Sequence, residues 1–295
     1  MKKKAKLILG GGSAYGLAHI GVLAALEEEF EITGIIGTSM GAIVGATYAY
    51  GYKPLESLDL ALNIRPTELY NPLHLDLARR GIFDGKVILK TFRDWTNNRK
   101  IERGNIPFVA VAYDLVQKRS ILIDKGSFAD AMRASSSLPY IFAPHSWGKY
   151  LFVDGGVEHP LPVAFRDMVP GEICIAVNVL PPASTHTERI ELSRADAKAK
   201  LNLHQVFLQS LLQNQAFIAI QEMLEHKPDI YIDAHCASYS LMDMMKAREF
   251  YNYGKAVAEK ALQQQDDLSI MDALRNRYQK IISRIKSPLN AFLGD

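Results

Sequence analysis

The sequence predicts an α/β fold built on a mainly parallel sheet, and three observations carry that prediction. A short apolar run at residues 5–9 stops at Gly10-Gly11-Gly12, and a helical pattern follows over residues 16–29. The same order repeats at once, with a β-branched run at residues 32–36, the turn Gly37-Thr38-Ser39-Met40-Gly41 and a second helix to about Tyr50. Tandem strand–loop–helix units make parallel strand pairs with right-handed crossovers, and their reactive loops gather at the carboxyl ends of the strands. Finally, 295 residues with 48% hydrophobic and 22% charged side chains suit a globular domain of this class.

Each element is read from its own pattern. Residues 5–9 (AKLIL) form a short apolar run, as in a buried strand. Leu17, Ile20, Leu23 and Ala24 recur at helical spacing, and Glu27, Glu28 and Glu29 close that helix. Pro54, Pro66 and Pro72 interrupt residues 52–105, where the stretch 62–83 is expected to form a mobile entrance and a helix to follow Asp84. Residues 106–115 and 120–124 read as strands. Ser127 caps a helix over FADAMRAS, and Ser135-Ser136-Ser137-Leu138-Pro139 ends it. A short strand at 150–153 leads into Asp154-Gly155-Gly156, and residues 173–180 form a β-branched strand. Residues 181–193 read as a linker, followed by a long helix at about 196–225, a strand at 229–232, and helices near 243–262 and 268–285. The long helix scatters Gln205, Gln209, Gln213 and Gln215 and has no Lys/Arg-rich face, so it is predicted to pack between sheet and helices instead of lying on a membrane.

Composition narrows the function. Lys and Arg number 34 against 32 Asp and Glu, a net charge of +2, which leaves no electrostatic footprint for nucleic acid. Cys174 and Cys236 are too few for a disulfide scaffold and read as reduced, buried thiols. Lys2, Lys3 and Lys4 precede only a three-residue apolar run, short of a secretory core, and no stretch reaches the length of a membrane span. The expected location is the cytoplasm, with any membrane contact peripheral. No His/Cys/Asp/Glu set is grouped as metal ligands would be, and neither a metal nor a cofactor is expected.

The chemistry starts at Gly37-Thr38-Ser39-Met40-Gly41, a G-x-S-x-G between strand and helix. Such a turn pushes the serine outward at the positive end of a helix dipole, whereas a plain helix cap is the alternative for the same residues. The loop from Gly10 to Gly16 offers backbone N–H groups for an oxyanion. As a dinucleotide loop it fails, because Tyr15 stands at the third glycine position of G-x-G-x-x-G and no acidic residue ends the second strand. Asp154-Gly155-Gly156 reads by itself as a turn or as a base. By chain order His226 or His235 could equally complete a triad, although neither lies in a recognisable loop.

Together, GGGSAYGLAHIGVLAALEE, GTSMG, IPFVAVAYDL, AMRASSSLPYIFAP, LFVDGGVEHPLPV and KPDIYIDA resemble the patatin-like phospholipase family, its bacterial cytoplasmic branch, over residues 5 to about 255. The resemblance implies a three-layer α/β/α fold in one domain spanning residues 1–295. Residues 5–180 would be its catalytic core, and residues 194–295 a mostly helical part packed on that core. It implies Ser39 as nucleophile, Asp154 as base, and an oxyanion hole of Gly11, Gly12 and Ser13, with Gly37, Gly41, Gly155 and Gly156 flanking the motifs. The implied activity is hydrolysis of lipid carboxylic esters through an acyl-enzyme. An acyltransferase on the same dyad, or a lipid-binding protein with an inactive site, is the alternative. Two departures stand out: Ser13 replaces a family glycine, and Tyr15 stands where the family has a basic residue.

Overall fold

The computed structural model describes residues 2–64, 75, 81–181, 203–236 and 243–263. Among the described residues, eight strands form one sheet: β1 (Lys3–Leu9), β2 (Phe30–Thr38), β3 (Phe108–Asp114), β4 (Arg119–Ile123), β5 (His145–Trp147), β6 (Tyr150–Asp154), β7 (Ile173–Asn178) and β8 (Ile230–Asp233). Neighbour by neighbour it reads β5-β6-β3-β2-β1-β7-β8, with β4 paired to β3. β3, β2, β1, β7 and β8 run parallel, while β4 and β6 are antiparallel to β3 and β5 to β6.

Among the described residues, seven helices surround the sheet: α1 (Ala18–Glu29), α2 (Met40–Tyr50), α3 (Pro54–Leu62), α4 (Lys86–Thr96), α5 (Phe128–Ser135), α6 (Leu203–His226) and α7 (Ala247–Gln263). Successive residues of the central strands feed two separate cores. Leu7, Leu9, Ile35, Ala110 and Val177 pack with α1, α2, α5 and α7. Ile8, Ile36, Val109, Val111 and Ala176 face the other way, onto Ala216, Ala219 and Met223 of α6. Strands covered on both faces read as continuous apolar runs, which is why β1 and β7 were legible without alternation. Helices on both faces of a mainly parallel sheet make the three layers that the family resemblance implies.

Several elements differ from the sequence reading. The first helical turn after the glycine loop is a 3-10 turn, Ser13–Leu17, and α1 starts only at Ala18. α3 forms where an irregular stretch was expected. Pro54 opens it, a position where the missing N–H costs nothing, and Glu56 accepts the Lys53 N–H at 2.7 Å. β5 has three residues, too few for a pattern to show. β7 ends at Asn178, two residues early. Of the expected entrance, residues 65–74 and 76–80 lie outside the described residues, as do most of the linker and the helix expected near 268–285. The end of that entrance is tied down, for the Ile82 and Phe83 N–H groups donate to Tyr140 O and Ile141 O, both at 2.9 Å. Cys174 and Cys236 are buried, free thiols. Among the described residues no helix is long and apolar enough to cross a membrane.

Candidate active site

The sheet register brings two distant chain segments to one point. β2 pairs with β3 up to Thr38 opposite Val111, and β6 pairs with β3 from Asp154 opposite Ala112. Because β4 occupies the other edge of β3 through those residues, β2 and β6 share an edge and their carboxyl ends meet head to head. Ser39 and Asp154 are the residues at that junction. Ser39 Oγ donates to Asp154 Oδ2 at 2.5 Å.

Ser39 sits at φ 55° and ψ −122°, a conformation costing a non-glycine residue about 1–3 kcal/mol, which the surroundings enforce. Its N–H donates to Ser135 Oγ at 2.8 Å and its carbonyl accepts from Ile43 N–H at 3.1 Å, the first turn of α2. The turn is that tight because backbone passes where side chains would stand. A Cβ on Gly41 would overlap Leu9 O, and one on Gly37 would lie 2.5 Å from the Gly41 carbonyl. Gly155 is likewise pressed against Val111 O.

Asp154 is 1% exposed. Its Oδ1 accepts the Gly156 N–H at 2.8 Å, and its own N–H donates to Ser137 O at 3.0 Å. Burial pushes the carboxyl up to about 6, against the opposing pull of the Ser39 hydroxyl and the Gly156 N–H. A carboxyl near 6 is ionised at neutral pH and basic enough to take a proton from a serine in transit.

The glycine loop lies beside this pair, but its three candidate donors are not equivalent. Gly11 packs against Ser39 Cβ, yet its N–H donates to Pro160 O at 2.8 Å, so it has no N–H to offer a substrate. Gly12 and Ser13 line the cavity in front of Ser39. Ser13 has φ 48°, the left-handed region that glycine occupies freely and serine does not, so the serine departs from the family at a position with a backbone reason for glycine. The Tyr15 ring packs edge-on against His235 and Phe250.

The sequence reading missed the residues that hold the junction together. Ser135 takes the Ser39 N–H and donates its own hydroxyl to Val111 O at 2.6 Å. Ser137 O takes the Asp154 N–H, and the buried Arg133 donates to Ser137 Oγ at 2.5 Å and to Ala143 O at 2.7 Å. The run Ser135-Ser136-Ser137 after a helix was the available signal, read there only as a helix end.

Histidines take other places. His19 is fully buried and donates from Nε2 to Gly10 O at 2.8 Å, with its Nδ1 unpartnered, and burial pulls its pKa down to about 4. His159 Nδ1 pairs with Glu222 Oε1 at 2.7 Å while its carbonyl accepts the Thr38 hydroxyl at 2.8 Å, which ties the loop after Asp154 to the end of β2. His145 meets Asp130, and His235 meets Val179 O. Among the described residues no histidine bonds Ser39 or Asp154. Nor do any His, Cys, Asp and Glu there group as metal ligands.

In front of the pair opens a cavity lined on its apolar side by Met40, Ile43, Ile88, Ile141 and Phe142. A second, almost wholly apolar chamber adjoins it and shares Met40, Ile43, Ile88 and Met244.

Compared with known proteins, the chain matches the patatin-like phospholipase family model over residues 7–166, more than half its length. An uncharacterised NTE family protein of Mycobacterium tuberculosis is 38% identical over 174 residues, 59% of this chain and 48% of that protein. Mouse patatin-like phospholipase domain-containing protein 6 is 30% identical over 179 residues, 59% of this chain and 13% of that protein. The chain thus spans about half the length of the mycobacterial relative and much less of the mouse one. Among solved structures, VipD from Legionella pneumophila aligns with a TM-score of 0.49 at 13% identity, covering 90% of this chain and 67% of that one.

Proposed function

The chain belongs to the patatin-like phospholipase family, and we propose that it is a serine acyl hydrolase that cleaves lipid carboxylic esters with Ser39 as nucleophile and Asp154 as base. The observation that carries the reading is the 2.5 Å contact between Ser39 Oγ and the buried carboxylate, formed at a strained turn. As the Ser39 oxygen attacks the ester carbonyl, its proton passes to Asp154 Oδ2. The oxyanion forms beside the Gly12 and Ser13 N–H groups and the amino end of α2, whose dipole favours negative charge there. Collapse expels the alcohol, which takes the proton back from Asp154 and leaves an acyl-Ser39 ester. Water, deprotonated by the same carboxylate, then releases the acid. The apolar chamber behind Met40 and Met244 takes the acyl chain, where each buried CH₂ contributes about 0.8 kcal/mol.

A fluorophosphonate probe followed by peptide mass mapping, together with hydrolysis of a p-nitrophenyl ester series and phospholipids, tests this. The expected outcome is one adduct, on Ser39, and loss of hydrolysis in Ser39→Ala with the fold intact. An adduct elsewhere, or a variant keeping more than about a tenth of the rate, removes Ser39 from the mechanism.

A further inference from the structure

Of the five glutamines along α6, Gln205, Gln209, Gln213 and Gln221 are exposed, and Gln215 alone is buried, at 5%. It shares a helix face with Leu211 and Leu212 on the wall of the Ser39 cavity. Its amide makes no hydrogen bond among the described residues. The other polar side chains on that wall are engaged: Ser39 with Asp154, and Ser136 with Met132 O. Its amide atoms are not sealed from solvent, so they face the cavity without a protein partner.

Its placement relative to Asp154 is specific. A Cβ on Gly156 would lie 2.7 Å from Gln215 Nε2 and 3.0 Å from Asp154 Oδ1, so the bare glycine keeps open a gap that both groups border. No direct bond joins them. Lys, Arg and His are missing from the described cavity wall, so an anionic group would find no counter-charge there. An amide offers both a donor and an acceptor to one neutral partner, and a hydroxyl can match both. The leaving alcohol recovers its proton from Asp154 and therefore departs on this side, while the acyl chain lies toward the apolar chamber, which Gln215 does not line.

We propose that Gln215 is a specificity-determining residue whose amide hydrogen-bonds a free hydroxyl on the alcohol part of the substrate, next to the scissile ester. This deepens the hydrolase reading and rests on it. α6 lies beyond residues 7–166, the span that the family model matches.

The test compares glyceryl monobutyrate with ethyl butyrate, which share an acyl chain and differ in the hydroxyls. Wild type should prefer the glyceryl ester. Gln215→Met and Gln215→Leu should raise KM for it about tenfold, leave kcat and the ethyl ester unchanged, and melt no lower than wild type, since no hydrogen bond is lost. Equal losses on both esters through kcat would place the amide on the dyad and overturn the proposal. So would an unchanged ester preference, or a lower Tm in both variants. Wild type inert to both esters and unlabelled by the fluorophosphonate would instead overturn the hydrolase reading, and this proposal with it.

Discussion

Asp154 must be an anion to act as a base, yet it is buried where an anion is disfavoured. Its ordinary carboxyl value of 3.8 is raised to about 6 in the fold, so kcat/KM should climb with pH and level off above about 6. The same shift fixes the sign of its effect on stability. The folded state holds this proton more tightly than the unfolded chain does, so its contribution is present at low pH and lost as pH rises from 3.8 through 6. Asp154→Asn keeps the shape without the charge. It should abolish hydrolysis yet raise stability at pH 7.5 by on the order of 3 kcal/mol, a gain that largely vanishes near pH 4. Urea melts at the two pH values check this, and an Asn variant no more stable at pH 7.5 would contradict a buried, ionised carboxylate. His19 works in the opposite direction. Its folded pKa of about 4 lies below the ordinary 6.5, so its contribution is intact above 6.5 and is lost as pH falls toward 4.

At the scale of elements, the end of α5 and the two residues after it clamp both halves of the candidate dyad. Ser135 holds the Ser39 N–H and β3 together, and Ser137 O holds the Asp154 N–H. Ser135→Ala leaves the Ser39 N–H and Val111 O without that partner, at about 1–3 kcal/mol per unsatisfied group. The expected result is a lower urea midpoint and a kcat reduced about tenfold or more at unchanged KM, read from melts and steady-state kinetics on one soluble ester. A variant that is less stable but fully active would make Ser135 a fold residue only. Ser39 was legible as a candidate because it ends a strand in a glycine motif, a local signature, whereas Asp154 read by itself as a turn or a base and was singled out by the family resemblance. Ser135 was not legible, because its role depends on which strand end α5 reaches, and no local pattern encodes a contact across 96 residues of chain. α3 was missed for a different reason: Pro54 was taken as a break, whereas at a first helical position proline is a start.

Over the whole molecule, a mainly parallel sheet was readable from the two tandem opening units, but the strand order and the docking of the later helices were not. α7 shows why. Its amphipathic pattern predicts a helix with one buried face, which names no partner. In the structure it crosses α1 at backbone contact: a Cβ on Gly254 would overlap Ala18 O, and one on Gly21 would overlap Tyr251 O. Phe250 and Ala258 are buried in the same core as Leu17 and Leu23. α1 continues the glycine loop, so α7 backs the element that positions Gly12 and Ser13. Gly254→Val must push the two helices apart, since the obstacle is a carbonyl and not a side chain that can rotate away. Overpacking of this kind costs about 1–3 kcal/mol, and more where backbone must move. The expected outcome is a lower urea midpoint at unchanged m-value, with Gly21→Val producing the same loss. Because both substitutions break one contact, the double variant should lose less than the two single losses combined. Strict additivity, or a Gly254→Val midpoint equal to wild type, would mean that α7 does not dock on α1 in solution.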